Sequence, residues 1–125
     1  MKERIFAAFS KVISTVKKLK VFKFGGASLK DAEAMKHVAT ILRGYTNDQL
    51  LIVGSATKGT TNELEEVVQF HQSGQTEQAM AKLQDIRKRH YDIALALVGE
   101  QHPVYDQLND HLVAVEWVLE EEPHE

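Results

Sequence analysis

The stretch GSATKGTTN at residues 54–62 holds two glycines, Gly54 and Gly59, at the separation used by phosphate-binding loops of the form G-x-x-x-x-G-K-[ST]. Two hydroxyl residues, Thr60 and Thr61, follow, but the lysine is displaced to Lys58, in front of the second glycine. Further upstream, Lys23 stands two residues before the pair Gly25-Gly26. A lysine supplies charge, and adjacent glycines let backbone N–H groups approach an anion without interference from Cβ. A helix starting just beyond adds its positive end. That combination suits a phosphate, although the same residues also make an ordinary tight strand-to-helix turn. The second loop offers Ser55, Thr57, Thr60, Thr61 and Asn62, neutral hydrogen-bonding groups that suit a carboxylate or an amino-acid headgroup. Thr60, Thr61 and Asn62 are equally suited to capping a helix and nothing more.

The elements around the two loops give them a common frame. KVFKFGG, residues 20–26, is a short aromatic and β-branched run stopped by glycines and reads as a strand. The segment SLKDAEAMKHVATILRG then places Ala32, Met35, Val38, Ala39 and Leu42 on one helical face. Ser28 is positioned to cap that helix, Asp31 and Glu33 lie in its first turn, and Gly44 ends it. LLIVG, residues 50–54, reads as a second, buried strand. Strand, helix and strand in this order form a βαβ unit with parallel strands and a right-handed crossover. Both glycine-bearing loops then lie at the carboxyl edge of the sheet, where open α/β sheets bind ligands.

The remainder reads as helix. Thr60 with Glu63, or Asn62 with Glu65, has capping-box spacing ahead of Leu64, Val67, Val68 and Phe70, and Gly74 ends that helix. A longer helix from Thr76 turns Ala79, Leu83, Ile86, His90, Ile93, Ala94 and Leu97 inward and stops at Gly99. Pro103 suits the first turn of a last helix carrying Val104, Leu108, Leu112, Val115 and Leu119. Two strands alone leave sheet edges and faces to be covered by further chain or by a second copy, which makes a homo-oligomer the expected state.

Composition narrows the function. With 125 residues, 43% hydrophobic and 26% charged, the chain suits one compact domain. The absence of cysteine excludes disulfides, thiolate metal sites and a cysteine nucleophile, and suits a reducing cytoplasm. The net charge of −3 is unevenly spread, with Lys2, Arg4, Lys11, Lys17, Lys18 and Lys20 near the start and acids alone from Gly99 to the end. Residues 1–19 have the pattern of a basic amphipathic helix, with Ile5, Phe6, Phe9, Val12, Ile13, Val16 and Leu19 on one side. Docking on the body of the domain is expected of it ahead of contact with an anionic membrane. The six histidines form no H-x-x-x-H pair, so no metal site is expected, and no basic surface with interleaved aromatics supports nucleic-acid binding.

Taken together and in this order, the loops resemble the aspartokinase branch of the amino-acid kinase family. KVFKFGGASLKDAEAMKHVATIL resembles the opening strand and glycine loop of that family, and LLIVGSATKGTTNELEEV resembles its second strand and S-A-x-x-G-x-T-N loop. The resemblance runs from about residue 20 to the end. It implies a three-layer, Rossmann-like α/β amino-acid kinase fold, present as a βαβ unit followed by a helical segment, with residues 20–125 as the N-terminal portion of the domain. It also implies ATP and Mg2+ as cofactors and transfer of the γ-phosphoryl group to the side-chain carboxylate of L-aspartate. That reaction opens the pathway to lysine, threonine and methionine. Carried over by position, Lys23 would neutralise phosphoryl oxygens, Gly25 and Gly26 would supply backbone donors, and Ser28 would order their loop. Ser55 would border the reacting groups and Thr61 would bind aspartate.

The sequence departs from the family pattern in three ways. Ala27 replaces a usual threonine, Lys58 and Gly59 invert the order of one loop variant, and Gly54 takes a usually β-branched position. Family members also continue through a substrate-binding glutamate and a nucleotide-binding half that are not found in these residues. The expectation is a portion inactive by itself, with a non-catalytic binding or self-assembly module as the alternative.

Overall fold

The computed structural model describes residues 18–123. The helix expected over residues 1–19 falls outside that range except at its end, where Leu19 opens a strand instead. The order of elements is β1 (Leu19–Phe24), α1 (Ala32–Arg43), β2 (Gln49–Gly54), α2 (Thr60–Gln72), α3 (Thr76–Val98) and α4 (Val104–Glu120). The described residues are therefore α/β, a parallel two-stranded sheet with four helices, as expected of a partial Rossmann-like unit. β1 pairs with β2 from Leu19 opposite Gln49 to Phe24 opposite Gly54. The amide of Ser55 extends the ladder by donating to the Phe24 carbonyl at 3.0 Å, so both strands deliver their loops at one edge.

α1 follows its apolar stripe, with Val38 buried. Its cap is Asp31, whose carboxylate accepts from the Ala34 amide at 2.8 Å. Ser28, expected to cap this helix, lies in the preceding turn, where its amide donates to the Gly25 carbonyl at 3.1 Å. The helix begins too late for Ser28 to reach its free N–H groups.

The core lies among the helices and not on the sheet. Val67 of α2, Ala79, Leu83 and Ile86 of α3, and Leu112 and Leu119 of α4 form one buried cluster, with Phe70, Met80, Tyr91 and Val115 packed on it. α3 is the centre: α1, α2 and α4 all pack against it. Arg87 bridges α3 to α4 through Glu116 and Asn109, and Lys82 bridges α3 to α2 through Glu66 at 2.6 Å. Leu97, expected to face inward, is exposed, as are Leu64 and Val68 of α2, because α2 and α3 bury narrower stripes than their sequence patterns suggest.

β2 also departs from expectation. Its run of apolar residues reads as buried, yet Leu51, Ile52 and Val53 are about half exposed. The face of the sheet bearing Leu19, Val21, Lys23, Leu51 and Val53 is covered by none of the described elements, with its apolar members between 45% and 61% exposed. The opposite face is better covered: Phe22 packs on Tyr45 with ring centroids 4.9 Å apart. Lys20 lies 4.7 Å above that Tyr45 ring and pairs with Asp48 at 3.2 Å.

Candidate substrate and phosphate site

The parallel register brings the two loops into direct contact. A Cβ on Gly26 would lie 3.3 Å from the Lys58 Cα and 3.7 Å from the Ala56 carbonyl oxygen, so the glycine is what lets one loop rest on the backbone of the other. The glycine loop is built from two successive turns, Ser28 N–H to Gly25 O at 3.1 Å and Leu29 N–H to Gly26 O at 3.2 Å. Gly25 has open space around its Cβ position and no positive φ, so neither steric crowding nor backbone conformation requires a glycine there.

Between the loops is a cavity of about 270 Å3 bordered by Gly26, Ser55, Thr57, Lys58, Thr61 and Asn62. Among the described residues no carboxylate borders it, and Lys58 is the cation that does. Thr61 and Asn62 lie in the first turn of α2, where helix N–H groups have no intrahelical acceptor and the helix end is partly positive. The Ser55 hydroxyl donates to the Ala56 carbonyl at 2.8 Å, which leaves its oxygen free to accept. Such a lining suits a small anion or a carboxylate-bearing headgroup. A wider hollow of about 490 Å3 runs along α2 from Thr61 to Gln72, past Leu64 and Val68. Its lining is largely apolar, so the chemistry points to the loop cavity.

Of the residues given roles by the family resemblance, Gly26, Ser55 and Thr61 come together at this cavity, joined by Thr57 and Asn62 of the same loop. Lys23, Gly25 and Ser28 do not border it. Lys23 is exposed on the uncovered face of β1, and Ser28 is exposed in the glycine loop. Lys58, whose role the altered loop order put in question, does border it.

The start of α2 is not the capping box that its spacing suggests. Its N-cap is Gly59 at φ +85°, with no side-chain cap. Thr60 and Glu63 instead face Arg89 of α3. One terminal nitrogen of Arg89 reaches both Glu63 carboxylate oxygens at 2.7 Å, and the other donates to the Thr60 hydroxyl at 2.9 Å. Thr57 and Thr60 turn inward, only 8% and 7% exposed, and their hydroxyls meet. Thr57 also lies 3.5 Å from His90 Nε2, and His90 Nδ1 lies 2.7 Å from the Ile86 carbonyl oxygen. Sequence reasoning missed Arg89 and His90. The available signal was a histidine within the inward stripe of α3, which a purely apolar core would not hold without a polar partner.

The fold and the paired loops define the class of protein. The family model of the Amino acid kinase family matches residues 18–115, and the chain belongs to that family. Within it the sequence is aspartokinase-like: Aspartokinase 2, chloroplastic, of Arabidopsis thaliana is 46% identical to it over 44 residues. The match covers 35% of this chain and 8% of that protein, so the two share a short segment of a much longer relative.

Proposed function

We propose that this chain contributes the substrate side of an aspartate kinase site, in which the 54–62 loop holds L-aspartate and the glycine loop faces the phosphate to be transferred. The observation that carries the reading is the meeting of the two loops, Gly26 against Lys58, over a cavity with cationic and neutral donors and no carboxylate. In the reaction, a carboxylate oxygen of aspartate attacks the γ-phosphorus of ATP as the bond to ADP breaks, giving 4-phospho-L-aspartate. Two anions must be brought together, so charge neutralisation and alignment are the main tasks. Thr61 and the first-turn N–H groups of α2 would hold the aspartate headgroup, and Ser55 would border the reacting carboxylate. Lys58 and, from the strand edge, Lys23 would offset phosphoryl charge, while Gly25 and Gly26 expose backbone N–H groups and Ser28 orders their turn. Among the described residues no three His, Asp or Glu side chains converge as metal ligands, and the cavity has no carboxylate. The residues here therefore do not fit magnesium, and no step is assigned through it. A cysteine-free chain suits a reducing compartment such as the cytoplasm, and no described helix is long and apolar enough to cross a membrane.

Thermal unfolding with and without ligands tests this. L-aspartate at about 100 times its dissociation constant should stabilise the fold by about 2.7 kcal/mol and raise the midpoint, and Thr61→Ala should abolish the rise. A cooperative transition indifferent to both L-aspartate and Mg-ATP would contradict the proposal. A second reading, a self-assembling module without catalysis, is favoured by one observation, the apolar face of Leu19, Val21, Leu51 and Val53 that none of the described elements covers. Sedimentation of a stable dimer that ignores both ligands would select it.

A further inference from the structure

The two threonine hydroxyls under the loop have a donor order that their surroundings dictate. Arg89 has only donors, so the Thr60 oxygen, 2.9 Å from its terminal nitrogen, must accept. The Ile86 carbonyl can only accept, so His90 Nδ1, 2.7 Å away, carries hydrogen, and in the neutral ring Nε2 is left as an acceptor. The Thr57 hydroxyl, 3.5 Å from Nε2, then directs its hydrogen there and can only accept from Thr60. With the ring neutral, a single direction results: Arg89 to Thr60, Thr60 to Thr57, Thr57 to His90, His90 to Ile86. Glu63 fixes the first member by holding the Arg89 guanidinium at 2.7 Å. Arg89 Nε is buried without a partner among the described residues, which hold the guanidinium through its terminal nitrogens.

We propose that Arg89 and His90 are positioning residues for the 54–62 loop, acting through this one-way chain of hydroxyls. The chain draws Thr57 and Thr60 under the loop, and the residues between and beside them, Ser55, Lys58 and Thr61, are thereby turned toward the cavity. Two residues on the central helix α3 thus set the geometry of a site they do not touch. As a statement about ligand affinity this rests on the loop being an aspartate subsite; as a statement about loop order it stands by itself.

Thr57 lies at the middle of the chain and can be altered without changing shape. Thr57→Val removes the hydroxyl at nearly constant volume, and Thr57→Ser restores it. Two readouts are compared: amide hydrogen exchange at Thr60, whose N–H donates to the Thr57 carbonyl at 3.1 Å, and the dissociation constant for L-aspartate by calorimetry. Thr57→Val and Arg89→Met should each speed exchange at Thr60 and weaken aspartate by about tenfold, with Thr57→Ser within about twofold of the parent. Unchanged exchange in Thr57→Val, or a Thr57→Ser as loose as Thr57→Val, overturns the proposal. If Arg89→Met does not fold, the Thr57 pair alone decides. Should the parent chain fail to bind aspartate, faster exchange in Thr57→Val but not in Thr57→Ser still supports the positioning chain. The aspartate reading alone then falls.

Discussion

Three glycines of the two loops are held in place by different physics, and substitution separates them. Gly59 has φ +85°, a conformation that costs an L-residue about 1–2 kcal/mol, so Gly59→Ala should lower stability by about that much in denaturant titration. Gly26 has no positive φ but has the Lys58 backbone 3.3 Å from its Cβ position. Gly26→Ala must push the loops apart by a few tenths of an ångström, which should weaken aspartate binding more than it lowers the unfolding midpoint. Gly25 has open space, so Gly25→Ala should stay within about 0.5 kcal/mol of the parent in stability. If Gly25 faces the phosphate, its new methyl group should still weaken Mg-ATP binding. The residues that meet at the cavity were legible because they sit in short motifs with their own chemistry. Arg89 and His90 were not. They lie on a helix remote in sequence, and Thr57 and Thr60 read as loop and cap residues with no sign that they needed buried partners.

At the level of elements, the periodicities located all six of the described secondary structures, and the failures were at their ends and faces. Thr60 and Glu63 had capping-box spacing, but a guanidinium competes for both side chains, and a charge-assisted bond outweighs a local cap. Ser28 lost the cap of α1 to Asp31, the residue immediately before the helix. Asp31→Ala should therefore cost about 1 kcal/mol, with Ser28→Ala near neutral, as read from the same denaturant curves. The run LLIVG was read as buried because buried parallel strands are apolar throughout, yet burial requires something to cover both faces. The helices cluster with one another instead, around Leu83, which is fully buried. Leu83→Ala should cost about 2–5 kcal/mol and is the substitution that tests where the core lies. Between α2 and α3, the hydrogen bond from Lys82 to Glu66 holds the lysine above its ordinary 10.5, with burial opposing. A raised pKa means that the pair contributes fully below 10.5 and fades as pH rises through the lysine's folded value. The difference in unfolding midpoint between the parent and Lys82→Gln should thus be constant from neutrality upward until it shrinks in that alkaline range.

For the whole molecule, family membership and the geometry of the edge point the same way. The Amino acid kinase family match spans residues 18–115, from β1 to well within α4, so it covers the sheet, both loops and the helix that positions one of them. The division of labour within that span is the central claim: helices carry the stability, and the two-stranded sheet carries the site at its carboxyl edge. The largest fully buried side chains, Leu83 and Val67, belong to helices, and the buried polar groups, Thr57 and Thr60, belong to the 54–62 loop and the helix start it leads into. The most direct test is a map of backbone amide chemical shifts on titration with L-aspartate, with L-lysine as a control of opposite side-chain charge. Saturable shifts confined to Gly26 and residues 55–62, given by aspartate and not by lysine, are the predicted result. Shifts absent from those residues at saturating aspartate, or centred on the hollow along α2, would contradict the account.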